Sequence, residues 1–195
     1  MNAPIPADYI PTYELGWLPK CVAIAVLAAL VVWFGGKSNA ALSGGPMRIV
    51  RLELAPTVAA ADRFMHAWKC KLPETWRQQL NDAQRWDTWL ICSYAPLCAL
   101  LCWISAEYLV GRWPGWGRVG FVLAVLQLVA GALDFVDNAG MQPTIDAGYA
   151  RWPWPTIAAT ASSIKWLLLL LFAAYVIGAG VHWIMSVGRH LIRIG

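Results

Sequence analysis

Four long apolar stretches leave this chain few ways to fold. They run over residues 18–36, 88–110, 118–138 and 156–185. About 20 consecutive apolar residues are enough for a helix to cross the hydrocarbon core of a bilayer. The first stretch carries no charge between Lys20 and Lys37, and the last contains the run WLLLLLFAAYVIGAG. The chain is 59% hydrophobic and 13% charged, whereas average soluble domains are roughly 25% charged. The four stretches account for that shortfall and leave little chain for a separate soluble domain. The expected fold is an all-α integral membrane protein, a four-transmembrane-helix bundle forming one membrane domain over residues 1–195.

The connections differ in length. Residues 1–17, with Pro4, Pro6 and Pro11, read as an extended lead-in. SNA at 38–40 resembles a signal cleavage site, but Asp8 and Glu14 precede the first stretch and only Lys20 is basic there. A secretory signal has a positive start and a shorter apolar core, so an uncleaved anchor is expected. Residues 37–87 form the long extramembrane loop. It opens Gly-rich, continues as RIVRLEL, whose weak alternation suits a short strand, and then carries Thr57 as a helix N-cap. Val58, Ala61, Phe64, Met65 and Trp68 follow at helical spacing, so an amphipathic surface helix is expected there. Pro73 suits the first turn of the next helix, which can run straight into the second span, and Pro96 inside that span predicts a kink. GRWPGWGR makes spans two and three antiparallel neighbours, and AGMQPTIDAGYARWPWP reads as an ordered link between spans three and four.

Trp17, Trp33, Trp86, Trp89, Trp113, Trp116, Trp152, Trp154 and Trp183 fall near the predicted span ends. Indole prefers the headgroup zone, where its apolar ring and polar N–H are both satisfied. Net charge is +4 without a Lys/Arg run, which argues against nucleic-acid binding. Cys21, Cys70, Cys92, Cys98 and Cys102 contain no CxxC, so a thiol–disulfide relay has no support. Cys98 and Cys102 read as small packing residues. No HExxH, phosphate-cradling Gly loop or GxSxG is present. His66, His182 and His190 all lie away from mid-span, so haem ligation is not expected, and no cofactor or metal site is assigned.

The chemistry that remains is a set of polar side chains in or beside the spans: Asp87, Tyr94, Gln127, Asp134, Asp137, Asn138 and Lys165. Ionisable groups in a membrane helix are costly and therefore pair, line a wet cavity or carry function. Gln127, Gly131, Asp134 and Asn138 follow the spacing 4, 3, 4 and share one helical face. Asp137 is one turn from Asp134. Asp87 and Tyr94 share a face of span two with Ile91 and Cys98. Lys165 lies about 13 Å into span four at 1.5 Å per residue, with Ser162 one turn above it. At that depth Lys165 must snorkel outward, lose its proton or meet a carboxylate. Asp134 and Asp137 are the expected partners. Two carboxylates beside one ammonium leave a spare carboxylate that can hold a proton, a cation, or a cationic or hydroxylated ligand. A structural ion-pair network that fixes helix register is the alternative.

The ending LDFVDN on span three resembles the L-D-x-x-[DE]-N ending of bacterial four-span membrane proteins that lack an assigned function. Asp87 before an aromatic-rich span and Lys165 in span four are similar too, while Asp137 stands where Glu is commoner. The resemblance covers residues 52–180. It implies a four-helix bundle with an extracytoplasmic amphipathic loop in the bacterial inner (cytoplasmic) membrane, and no activity.

Lys20, Arg112, Arg118, Arg189 and Arg193 fall on the side of the termini, against Arg151 in the short opposite loop. This places the termini in the cytoplasm, although the long loop is itself basic. The first expectation for function is a non-catalytic, lipid- or partner-binding accessory subunit, with the bilayer and a membrane-protein partner or homo-oligomer as its partners. The alternatives are a small proton- or cation-coupled transporter working as an oligomer and, third, a lipid-headgroup enzyme using Asp134 or Asp137 as base.

Overall fold

The computed structural model describes residues 14–45 and 50–192, with side chains over 16–45 and 50–186. It contains six helices among the described residues and no strand. They are α1 (Glu14–Ala41), α2 (Val50–Glu53), α3 (Val58–Lys71), α4 (Trp76–Val110), α5 (Pro114–Ala147) and α6 (Trp154–Ile192). Four of them, α1, α4, α5 and α6, are long and apolar enough to cross a membrane.

Each long helix outruns its apolar stretch. The α4 helix begins at Trp76 and carries its polar first turns directly into the apolar part, through Pro96. Pro73 opens the preceding turn, in which Thr75 and Trp76 both donate to the Leu72 carbonyl. The α5 helix continues to Ala147 through Pro143, where a link was expected. Met141 and Ile145 on that extension are buried. Burying each is worth about 2 kcal/mol, enough to offset the ~3 kcal/mol cost of a helix-interior proline. RIVRLEL is also not a strand. Residues 50–53 form a helical turn, because Leu52 packs into an apolar cluster and no second strand exists to pair with among the described residues. Residues 14–17 of the expected lead-in are helical; its first thirteen residues, the start of RIVRLEL and Arg193 lie outside the described residues.

Helices α4, α5 and α6 pack as consecutive antiparallel neighbours. Helix α1 is peripheral. Its main neighbour is α4, which it meets antiparallel: Lys20 pairs with Glu107, and Ser38 donates to the Ala83 carbonyl at 3.4 Å. Phe34 stacks against Trp86 and Trp89 with ring centroids 6.2 and 6.1 Å apart. No α1 residue from 16 to 41 is buried.

Helices α2 and α3 close one end of the α4–α5–α6 core. Thr57 caps α3, its side chain accepting from Ala60 N at 3.2 Å. Ala61, Phe64, Met65 and Trp68 point into a cluster with Leu52, Trp76, Leu80, Met141 and Ile145. Two bonds hold this cap against the α5–α6 link and the start of α6: Ala150 N donates to Asp62 at 2.6 Å, and Thr156 donates to the Pro56 carbonyl at 3.2 Å. A second apolar cluster, with Cys102, Leu109, Leu123, Ala124, Tyr175 and Ala179, fills the opposite end. Of the tryptophans placed near span ends, all but Trp86 are exposed.

Gly148 ends α5 at φ +75°, and its N–H donates to the Thr144 carbonyl. An L side chain there pays about 1–2 kcal/mol for the left-handed conformation, and its Cβ would meet Lys69 Nζ at 2.7 Å. The lysine tip can swing away and the Trp76 ring, 3.1 Å from that Cβ, must give slightly, so the backbone cost is the main one that remains. Gly148→Ala is expected to lower stability by about 1 kcal/mol, read as a lower thermal midpoint in detergent. An unchanged midpoint would show that the cap relaxes to another backbone conformation.

Candidate functional site

The two apolar clusters are separated by a polar layer, and the order of residues along each helix shows how it arises. Along α5 the far cluster supplies Leu123 and Ala124, then come Gln127, Asp134 and Asp137, then Met141 and Ile145 of the cap cluster. Along α6 the order is Ala158, Ser162, Lys165, then Tyr175 and Ala179. Along α4 it is Trp76 and Leu80, then Asp87 and Tyr94, then Cys102 and Leu109. Three helices thus place polar side chains between the two apolar clusters.

Lys165 is the hub. Its Nζ donates to Asp134 Oδ1 at 2.5 Å, to Asp137 Oδ2 at 3.3 Å and to Glu53 Oε2 at 3.4 Å. An ammonium has three donors and no acceptor, so each donor has its own carboxylate. The exposures are 4% for Lys165, 5% for Asp134, 0% for Asp137 and 7% for Glu53. Asp134 is held from both sides, since Tyr94 donates to its Oδ2 at 2.6 Å. Glu53 Oε2 also accepts from Ser162 at 3.4 Å. Asp137 is served on one oxygen only, and its Oδ1 is buried without a partner. Three carboxylates therefore face one ammonium, one carboxylate more than the sequence suggested.

Asp87 and Asn138 form an adjoining pair. Asn138 Nδ2 donates to Asp87 Oδ2 at 2.9 Å, and Gln84 donates to the Asn138 carbonyl at 3.1 Å. Neither residue bonds Lys165. Gln127 stands apart: its amide donates to the Leu168 carbonyl of α6 at 3.1 Å, while its Oε1 is buried without a partner. Of the seven residues singled out from sequence, Tyr94, Asp134, Asp137 and Lys165 form one network, Asp87 and Asn138 form a second beside it, and Gln127 ties α5 to α6.

Glu53 was not found by sequence reasoning. It lies in LEL, a pattern that a strand and a helical turn share, and its place over α6 depends on how the cap folds back. The only signal was a charge between two leucines.

Elsewhere, Cys98 and Cys102 are buried free thiols on the packing face of α4. His182 meets Tyr108, with the hydroxyl 3.3 Å from Nδ1, and the Trp113 ring at 4.8 Å between centroids. His66 lies 3.4 Å from Cys70 on the exposed side of α3. Among the described residues no group of three His, Cys, Asp or Glu is placed to hold a metal ion.

Chemically, the cluster can lock three helices and the cap in register, or it can hold a positive charge beside Asp137. Comparison with protein-family models, curated proteins and solved structures gave no match.

Proposed function

We propose that the chain is a non-catalytic multi-pass membrane protein that binds lipid or a membrane-protein partner, with its charge cluster serving as the lock between the cap and the helical core. The observation that carries this is the sealing of the cluster: Lys165, Asp134, Asp137 and Glu53 are each at most 7% exposed. General acid–base work needs a group within reach of a substrate proton, and these groups reach one another instead. The apolar outer surface of α1, with Leu18, Val22, Val26 and Val32 exposed, suits lipid or a partner helix. In this reading α3 is the amphipathic surface helix, resting at the membrane surface over the core. The likeness to four-span bacterial proteins and the basic residues at the termini side favour the bacterial inner membrane with cytoplasmic termini.

Native mass spectrometry of the protein gently extracted from its own membrane tests the proposal. A stoichiometric lipid or protein partner is expected. A bare monomer or homo-oligomer would count against it.

A cation- or proton-coupled carrier is the second reading, favoured by one observation: three carboxylates face one ammonium, and Asp137 Oδ1 has no partner. Flux in proteoliposomes that vanishes in Asp134→Asn would support it. Flux unchanged by that substitution would remove the cluster from any transport mechanism.

A further inference from the structure

Outside the charge cluster, α4 and α5 leave a groove of about 520 Å³ lined by Asn81, Gln84, Arg85 and Thr88 on one side and Phe135, Asn138, Ala139 and Gln142 on the other. The helices run antiparallel, so the groove has a direction. Its outer end is Asn81 facing Gln142, bonded at 3.1 Å; its middle is Gln84 facing the Asn138 carbonyl; its inner end is Thr88 and Phe135. Asn81 and Thr88 are seven residues apart, about 10 Å at 1.5 Å per residue. The apolar stretch of α4 begins at this inner end, at residue 88, and that of α5 ends within the groove, at residue 138. The groove therefore passes from amide to apolar lining at the level where the spans leave hydrocarbon.

Its functional groups are unevenly used. Arg85 is exposed and has no hydrogen bond, ion pair or ring contact among the described residues. Gln84 donates one amide N–H to the Asn138 carbonyl, Asn138 one to Asp87, and Gln142 donates to both Asn81 and Asp146, while Gln84 Oε1, Asn138 Oδ1 and Gln142 Oε1 accept no hydrogen bond among the described residues. One guanidinium beside several amide oxygens matches a ligand with both an anionic oxygen and its own donors. A planar guanidinium takes phosphate oxygens in pairs.

We propose that this groove binds the headgroup of a membrane phospholipid, with the phosphodiester on Arg85 and a hydroxyl or primary ammonium on the amide oxygens of Gln84, Asn138 and Gln142. This rests on the lipid-binding reading above and names its site and headgroup class. A quaternary ammonium headgroup has no donor for those oxygens. Phosphatidylglycerol and phosphatidylethanolamine are thus preferred to phosphatidylcholine.

The test is native mass spectrometry of the full chain in detergent, titrated with each of the three lipids. Wild type is expected to take one phosphatidylglycerol or phosphatidylethanolamine in preference to phosphatidylcholine. Charge-assisted hydrogen bonds are worth enough that Arg85→Gln should weaken that binding about tenfold. Asn81→Asp, which places a negative charge at the groove mouth, should weaken phosphatidylglycerol likewise. Arg85 is exposed and Asn81 half-buried, and an unchanged thermal midpoint without added lipid would confirm that each variant folds. Equal binding of phosphatidylcholine, or full lipid binding by Arg85→Gln, overturns the groove while leaving lipid binding in place. A wild type that holds no lipid but carries a protein partner overturns the groove and leaves the partner half of the functional reading. Competition by soluble glycerophosphoglycerol at the lipid's own concentration overturns the membrane source of the headgroup.

Discussion

Replacing Lys165 with methionine is expected to cost about 3–5 kcal/mol of stability, the loss seen when one partner of a buried ion pair is removed. Methionine fills similar space, so the effect isolates charge from packing. Without the ammonium, Glu53, Asp134 and Asp137 are left facing one another with no cation between them, and Asp137 loses its one hydrogen bond. Total stabilities are about 5–15 kcal/mol, so the variant should unfold at much lower temperature or at lower denaturing detergent than wild type. Neutralising all four positions at once, with Lys165→Met joined to Glu53→Gln, Asp134→Asn and Asp137→Asn, should recover a large part of the loss, because a buried network costs desolvation that its neutral replacement avoids. An unaltered midpoint for Lys165→Met alone would show that the cluster is not the lock. A variant that folds normally and loses cation flux would favour the carrier reading.

How much of this was legible in the sequence depends on what places each residue. Apolar runs long enough to span hydrocarbon announce α1, α4, α5 and α6, because length and composition alone decide them. Tyr94, Asp134, Asp137 and Lys165 were legible because helical rise and periodicity fix the level and face of each along an already recognised helix. Gln127 shares the face of Asp134, but seven residues along the helix is about 10 Å, so it bonds Leu168 rather than the cluster. Helix ends were less legible. The extension of α5 past Pro143 depends on Met141 and Ile145 finding the cap cluster, which no local pattern records. Glu53 was hidden for the same reason: a helical turn over 50–53 is too short for periodicity, and its burial is decided by Leu52 packing with residues from α3 to α6. The peripheral place of α1 was hidden as well, since an apolar helix without a polar face reads alike whether it enters a core or covers one.

The cluster also depends on a close approach that carries no charge at all. At Gly131 an added Cβ would lie 2.6 Å from Ala95 Cβ, nearer than carbon atoms can approach. Small residues let apolar helices come this close. The contact is next to Tyr94 in sequence and one turn from Asp134, so it sets the spacing across which Tyr94 reaches Asp134 at 2.6 Å. Gly131→Leu must push α4 and α5 apart. A shift of about 1 Å carries a hydrogen bond of that length to the edge of bonding range. Overpacking costs about 1–3 kcal/mol, and leaving a buried acceptor short of its donor costs about 1–3 kcal/mol more. The expected loss for Gly131→Leu is therefore about 2–6 kcal/mol, with Gly131→Ala losing less. Gly180→Leu is the control, since no atom lies within 4 Å of its added Cβ; it should stay within about 0.5 kcal/mol of wild type. Thermal unfolding in detergent separates the two. Equal midpoints for Gly131→Leu and Gly180→Leu would mean that the approach of α4 to α5 does not hold the cluster together.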